Sequence, residues 1–268
     1  MSEATSEQAK ATSEQARHDY DKAASGYAGY SELPSGQLEA ELVRIALGDC
    51  TGCTVLDLGG GMGRHARTAL QLGATAVDLV DISAGMMHAG QQQYGVEFDA
   101  TARLRFWQAD VAQPLDHLPL RKEGYDIVMA NWVFSFAGST QALHAMLANV
   151  RRHLKPGGRF VGVRDADPWS PVLQTGKYGG LCRDISPIPG GVRYVCVLQS
   201  TPPVEFVGTC LEVVYSGSTA VYEQFGLSEV ATVPYTSAPV VQRDPAFWSE
   251  FLQRPCLAVV TARGSIRL

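Results

Sequence analysis

No apolar run in this 268-residue chain approaches the ~18–20 residues a membrane-spanning helix needs, so a membrane protein is not expected. The N-terminus lacks the apolar centre of a secretion signal, which points to a cytoplasmic protein. A basic excess is also missing. Twenty-two Lys and Arg stand against 27 Asp and Glu, for a net charge of −5, whereas a nucleic-acid partner calls for a basic face. Cysteine is sparse: of six, only Cys50 and Cys53 lie close together, and no second CxxC or HxxxH completes a four-ligand zinc site. No bound metal is expected, and Cys182, Cys196 and Cys210 read as free thiols rather than disulfides. What remains is an ordinary globular balance, 46% hydrophobic and 18% charged, long enough for one α/β domain with a substantial core.

The most informative stretch is Val55-Leu56-Asp57-Leu58-Gly59-Gly60-Gly61-Met62-Gly63. An apolar strand ends at an acid, drops into a glycine turn and opens a helix at Arg64-His65. Glycines carry no Cβ, so such a turn lets a ligand approach bare backbone at a helix N-terminus. The G-x-G-x-x-G spacing of a dinucleotide site is not met, because its last position falls on Arg64 or Ala66. The chain offers Asp57-x-Gly59-x-Gly61-x-Gly63 instead.

Strand and helix patterns alternate from there. Strands are predicted at 54–58, 76–81, 103–108, 125–131 and 158–164, with helices near 63–72, 84–93 and 140–154. Such alternation implies a mostly parallel, doubly wound sheet. Residues 1–17 hold a short repeat, Ala4-Thr5-Ser6-Glu7-Gln8-Ala9 and Ala11-Thr12-Ser13-Glu14-Gln15-Ala16, without large apolar residues, and read as a flexible tail. Residues 18–50 read as helical, with Tyr20, Ala24 and Tyr27 on one face. Residues 191–199 and 206–215 read as an antiparallel pair inside an insertion at 166–215, after which a helix (218–226), a strand (229–234), a helix (245–253) and a strand (256–262) complete a domain over 51–268.

Taken together, the glycine motif, Asp81 at the end of the second strand, Asp110 after the third, Tyr125-Asp126-Ile127-Val128 in the fourth and Leu154-Lys155-Pro156-Gly157-Gly158 before the fifth resemble the class I S-adenosylmethionine-dependent methyltransferases. The match covers residues 53–165, about 40% of the chain. Tyr20-Asp21-x-x-Ala24-x-x-Tyr27 resembles the lid of small-molecule members of that family, and Asp244-Pro245-Ala246-Phe247-Trp248 is similar to the toxoflavin-type N-methyltransferases and their ubiquinone-biosynthesis kin. The resemblance implies an α/β fold with a seven-stranded Rossmann-like sheet, an N-terminal helical lid and a small antiparallel substrate-side insertion. It implies S-adenosylmethionine as methyl donor, S-adenosylhomocysteine as product, and a small-molecule acceptor methylated at N, O or S, as in secondary metabolism. A monomer or homodimer is expected.

The same resemblance implies a set of cofactor contacts: Tyr20, Tyr27, Asp57, Gly59, Gly61, Gly63, Asp81, Ile82, Met86, Asp110, Val111 and Asn131. Asp81 would hold the ribose hydroxyls and Asp110 the adenine amino group, although Asp110 also reads as a helix cap. Tyr30, Trp132, Phe134 and Tyr178 are candidate acceptor contacts. Trp132, Phe134 and Phe136 read equally as core, and the tyrosines of 20–30 as a packed helix face. No residue stands out as a base; Tyr20 and Tyr27 are the candidates, since methyl transfer rests mostly on alignment and water exclusion. Two other readings stay open: the same fold using bound cofactor for another reaction such as cyclisation, and a binding-only protein.

Overall fold

The computed structural model describes residues 3–99 and 103–265. In chain order the elements are α1 (Glu3–Tyr27), α2 (Pro34–Leu47), β1 (Thr54–Leu58), α3 (Arg64–Gln71), β2 (Ala76–Asp81), α4 (Ala84–Asp99), β3 (Leu104–Gln108), β4 (Tyr125–Ala130), α5 (Thr140–His153), β5 (Leu154–Asp165), α6 (Val172–Thr175), β6 (Gly180–Ile188), β7 (Gly191–Leu198), β8 (Val204–Leu211), α7 (Glu212–Tyr215), α8 (Ala220–Gln224), β9 (Leu227–Thr232), α9 (Pro239–Arg243), α10 (Pro245–Gln253) and β10 (Leu257–Gly264). Seven strands form one sheet in the order β3-β2-β1-β4-β5-β10-β9. The first five run parallel, and β10 lies antiparallel between β5 and β9. Strand order reverses between β1 and β4, and in an open α/β sheet the crevice beyond the strand ends at such a point is where ligands bind.

Alternation along the strands divides the core. Leu56 and Leu58 of β1 face a layer with α5, through Leu143, Met146, Leu147 and Val150. Val55 faces the opposite layer, built by Leu38, Leu42 and Leu47 of α2, Ala66 and Ala69 of α3, and Trp248 and Phe251 of α10. Local chemistry sets the helix ends. Ser139 accepts from the Ala142 amide at the start of α5, whose last turn carries Arg151, Arg152 and His153. Asp244 accepts from the Phe247 amide ahead of Pro245 in α10.

A second sheet, β6-β7-β8, forms a cap. The pair expected at 191–199 and 206–215 is present as β7 and β8, though β8 ends at Leu211 and the chain turns into α7. The third cap strand, β6, has no clear alternation because its register shifts between Arg183 and Ser186, with Asp184 at φ 55°. Helix α1 runs without interruption from Glu3 through the repeat, so the boundary expected at residue 17 is not a break in secondary structure. Ala16, Ala23 and Ala24 are buried. Among the described residues no helix is long and apolar enough to cross a membrane, and all six cysteines are free thiols.

Candidate functional site

The glycine turn needs its glycines. Gly59, Gly61 and Gly63 have φ of 69°, 53° and 83°, a region L side chains rarely adopt. A Cβ on Gly60 would meet Leu79 and the Asp57 carboxylate. The turn opens a cavity of about 1120 Å³ at the ends of β1, β2 and β4, covered by α1. Of the residues expected there, Tyr20, Tyr27, Asp57, Gly59, Gly61, Asp81, Ile82, Met86, Asp110, Val111 and Asn131 line it. Gly63 does not. It is the residue ahead of α3, and packs beside Leu79 and Leu104, so it shapes the turn from behind.

Three polar groups face this cavity with unused capacity. Both oxygens of Asp57 are buried outside hydrogen-bond geometry with any described group, as are both amide atoms of Asn131 and Nδ1 of His65. Burial, then the negative charge of Asp81, pushes Asp57 up to about 8, against a smaller pull from the Ala66 amide. Asp81 accepts from the Gly61 amide at 2.7 Å and the Ser83 amide at 2.8 Å, one on each oxygen. Each oxygen keeps a lone pair for a further donor. Burial outweighs these bonds and lifts Asp81 to about 6. Asp110 lines the cavity while its Oδ1 accepts from the Ala112 amide at 2.8 Å; no helix follows it, so this contact closes a turn and the expected helix cap is not present. A buried, unpaired carboxylate is costly unless a cation or donor arrives, so the cavity suits a ligand with an ammonium end and a vicinal pair of hydroxyls.

Glu39, unremarked in the sequence, organises one wall. Its buried carboxylate accepts from Tyr30 Oη at 2.5 Å, Trp132 Nε1 at 2.6 Å and His65 Nε2 at 2.8 Å, with the Arg64 guanidinium at 3.5 Å. Burial opposes its ionisation, but the His65 hydrogen bond and the Arg64 charge prevail and hold it at about 2. Arg64, which looks like a solvated charge in the sequence, also donates to the Gly36 carbonyl and lies over the Tyr30 ring. The signal for Glu39 was an acid within an apolar helical stripe, beside Leu38 and one turn before Leu42 and Val43. The network fixes Trp132 in a left-handed conformation, φ 63°. Strain of that kind persists only where surroundings enforce it.

Behind this wall lies a second cavity of about 730 Å³. Tyr20, Tyr27, Tyr30, Trp132 and Phe136 line both spaces. Tyr178 lines the inner one, its hydroxyl donating to the Phe247 carbonyl at 2.8 Å. Phe134 lines neither. The 3-10 turn Val133–Phe136 sends it into the core against Phe160 and Tyr222, and it is Phe136 that faces the chamber. Helix α1 is latched on both sides. Asp21 accepts from Ser83 Oγ at 2.7 Å and the Gly85 amide at 2.9 Å at the start of α4, and Asp19 accepts from the Val207 amide of β8 at 3.2 Å.

Residues 55–158 match a family model described as a methyltransferase domain. That stretch, less than half of the chain, is similar to methyltransferase domains. The chain's relatives include the squalestatin tetraketide synthase clz2 of Cochliobolus lunatus, 27% identical over 128 residues, or 45% of this chain. The match spans only 5% of that synthase. The ubiquinone/menaquinone biosynthesis C-methyltransferase UbiE of Ralstonia pickettii is 28% identical over 163 residues, 57% of this chain and 61% of UbiE. Among solved structures, the [4+2]-cyclase SpnF superposes with a TM-score of 0.60 at 15% identity, over 95% of this chain and 97% of its own. The 1,6-didemethyltoxoflavin-N1-methyltransferase of Burkholderia thailandensis, solved with its substrate and S-adenosylhomocysteine, gives a TM-score of 0.55 at 16% identity over 93% and 87%. The chain thus has the Rossmann-like fold expected of it: a mostly parallel seven-stranded sheet plus a separate three-stranded cap.

Proposed function

We propose that this protein transfers a methyl group from S-adenosylmethionine to a small-molecule acceptor, within secondary metabolism and in the cytoplasm. The observation that carries the reading is the outer cavity's unused polar capacity at Asp57, Asn131 and Asp81, separated by shared aromatic side chains from a second, mostly apolar cavity. Asp81 would hold the ribose hydroxyls, Asp110 the adenine amino group, and Asp57 with Asn131 the aminoacyl end. S-adenosylmethionine supplies a methyl group activated by its sulfonium. The protein's own contribution is alignment and dryness: Tyr20 and Tyr27 of α1 close over the junction of the two cavities, and Glu39 fixes Tyr30 and Trp132 beneath them. The names of the relatives support an acceptor of polyketide or quinone type, and the C-methyltransferase name adds carbon to the N, O and S atoms first considered.

The test is calorimetric titration with S-adenosylmethionine and S-adenosylhomocysteine, beside Asp81→Ala. Micromolar binding weakened about 100-fold in the variant is expected, because two charge-assisted hydrogen bonds are lost. Absence of binding to either compound refutes the donor assignment. A second reading, cyclisation with the cofactor as a fixed element, draws on the likeness in fold to SpnF. Stoichiometric S-adenosylhomocysteine formation with turnover of an acceptor would reject it.

A further inference from the structure

The inner chamber is lined almost wholly by apolar and aromatic side chains, and Asp165 is the one charged side chain among the described residues that line it. Asp165 ends β5 and is 6% exposed. Its Oδ2 accepts from Ser135 Oγ at 2.6 Å and its Oδ1 from Tyr194 Oη at 2.9 Å. The Cys210 thiol is a further, weaker donor to this carboxylate; a carboxylate has about four acceptor sites, so capacity for one more donor remains after these bonds. The remaining polar lining offers only neutral, weaker acceptors. Burial pushes the Cys256 thiol and the Tyr194 hydroxyl up, and a hydrogen bond with Cys182 together with burial does the same for Cys196, so all three stay neutral. Burial raises Asp165 above the usual carboxylate range, against smaller pulls from Ser135, Tyr194 and Cys210 towards the ionised form.

The shape of the space adds a second constraint. Tyr20 stacks on Phe206 with centroids 5.4 Å apart and meets Phe136 edge-on at 5.4 Å. Those rings and Leu198 give the chamber an apolar lining, and a volume of about 730 Å³ lies within the ~300–1,000 Å³ range of small-molecule sites. A buried acceptor with spare lone pairs discriminates strongly against a ligand that brings no donor, since both partners are then left desolvated and unpaired.

Resting on the methyltransferase reading above, we infer that the inner chamber takes a planar, mostly apolar ring bearing an O–H or N–H donor, and that Asp165 selects it by accepting that hydrogen bond. Asp165 is therefore a specificity-determining residue, held in place by Ser135 and Tyr194.

The experiment uses a matched pair of probes, 2-naphthol and 2-methoxynaphthalene, titrated calorimetrically into protein saturated with S-adenosylhomocysteine. Wild-type protein is expected to prefer 2-naphthol by at least about tenfold. In Asp165→Asn, which keeps the shape but removes the charge, the preference is expected to shrink below threefold while S-adenosylhomocysteine affinity stays within twofold. Equal affinity for the two probes in wild-type protein, an undiminished preference in Asp165→Asn, or no binding of either probe overturns the inference. The wild-type comparison stands alone should the variant fail to fold. Failure of S-adenosylhomocysteine itself to bind strikes the methyltransferase reading instead, and the same probe pair titrated into the free protein then still decides the role of Asp165.

Discussion

In the outer cavity the polar groups come from strand ends and one turn, and several are left without partners; in the inner chamber they come from distant segments, and the key acid is already held. Asp57 is buried on β1 with neither oxygen satisfied, whereas Asp165 on β5 has a hydroxyl on each. Asp78 extends the series. Buried on β2, it accepts from Arg105, Trp107 and Tyr125 and ties three strands together without lining either of the two cavities. Three buried acids in one sheet thus serve three ends. An unsatisfied acid marks a place reserved for a ligand's charge, a fully satisfied one marks architecture, and a partly satisfied one in an apolar chamber marks selection.

The largest test of this contrast is Glu39→Ala. It strands the donors of Tyr30, His65 and the part-buried Trp132 around the outer cavity, and unfolding free energy should fall by about 3–5 kcal/mol. Denaturant unfolding measures it, and a loss under about 1 kcal/mol would show that the wall does not depend on Glu39. Next come the two phenylalanines. Phe134→Ala should cost about 3–5 kcal/mol as a core truncation and spare 2-naphthol binding in the folded fraction. Phe136→Ala should cost less than half of that and weaken the probe instead. Reversal of the two would move the chamber wall to Phe134. A smaller effect is expected from Asp57→Asn, which should weaken S-adenosylhomocysteine roughly tenfold by calorimetry through loss of a charge-assisted contact; unchanged affinity would reduce Asp57 to a turn residue.

The smallest effect is in pH. Asp57 and Asp81, at about 8 and about 6 in the folded protein, stand above the ~3.9 of an unfolded aspartate. The native state therefore binds more protons between these values, and the stability of the ligand-free protein should fall as pH rises from about 4 to about 8, by at most about 1.4 kcal/mol per unit per proton. The melting temperature should show this decline, and Asp57→Asn should flatten its upper part. A melting temperature that rises over that range would contradict the burial of these acids. Binding of an ammonium ligand near pH 7 should also release protons, read as a dependence of calorimetric enthalpy on the buffer.

The outer cavity was legible because its residues follow one another locally: an alternating strand, an acid, a glycine turn and a helix are all written within residues 55–71. The parallel strands followed from the same periodicity, with β1 and β2 matching their expected ends. The inner chamber was not legible, since α1, the turn after β4, the end of β5 and the cap meet only in three dimensions. Asp165 closes an unremarkable run, Phe160-Val161-Gly162-Val163-Arg164-Asp165. The roles of Phe134 and Phe136, two residues apart, depend on the left-handed turn at Trp132, for which no glycine gave notice. Strand β6 was hidden by its bulge, and Arg64 by its resemblance to an ordinary surface charge.

Helix α1 contributes Tyr20 and Tyr27 to both cavities and is tied to α4 on one side and β8 on the other. Whatever ordering of this helix one occupant completes need not be completed again for the next, so the two sites should speak to each other through a shared entropy rather than a shared contact. Thermodynamic reciprocity then requires that 2-naphthol tighten S-adenosylhomocysteine by the same factor as S-adenosylhomocysteine tightens 2-naphthol. Paired titrations in either order give that factor, and a value of one would mean that α1 is equally settled in the empty and the filled protein.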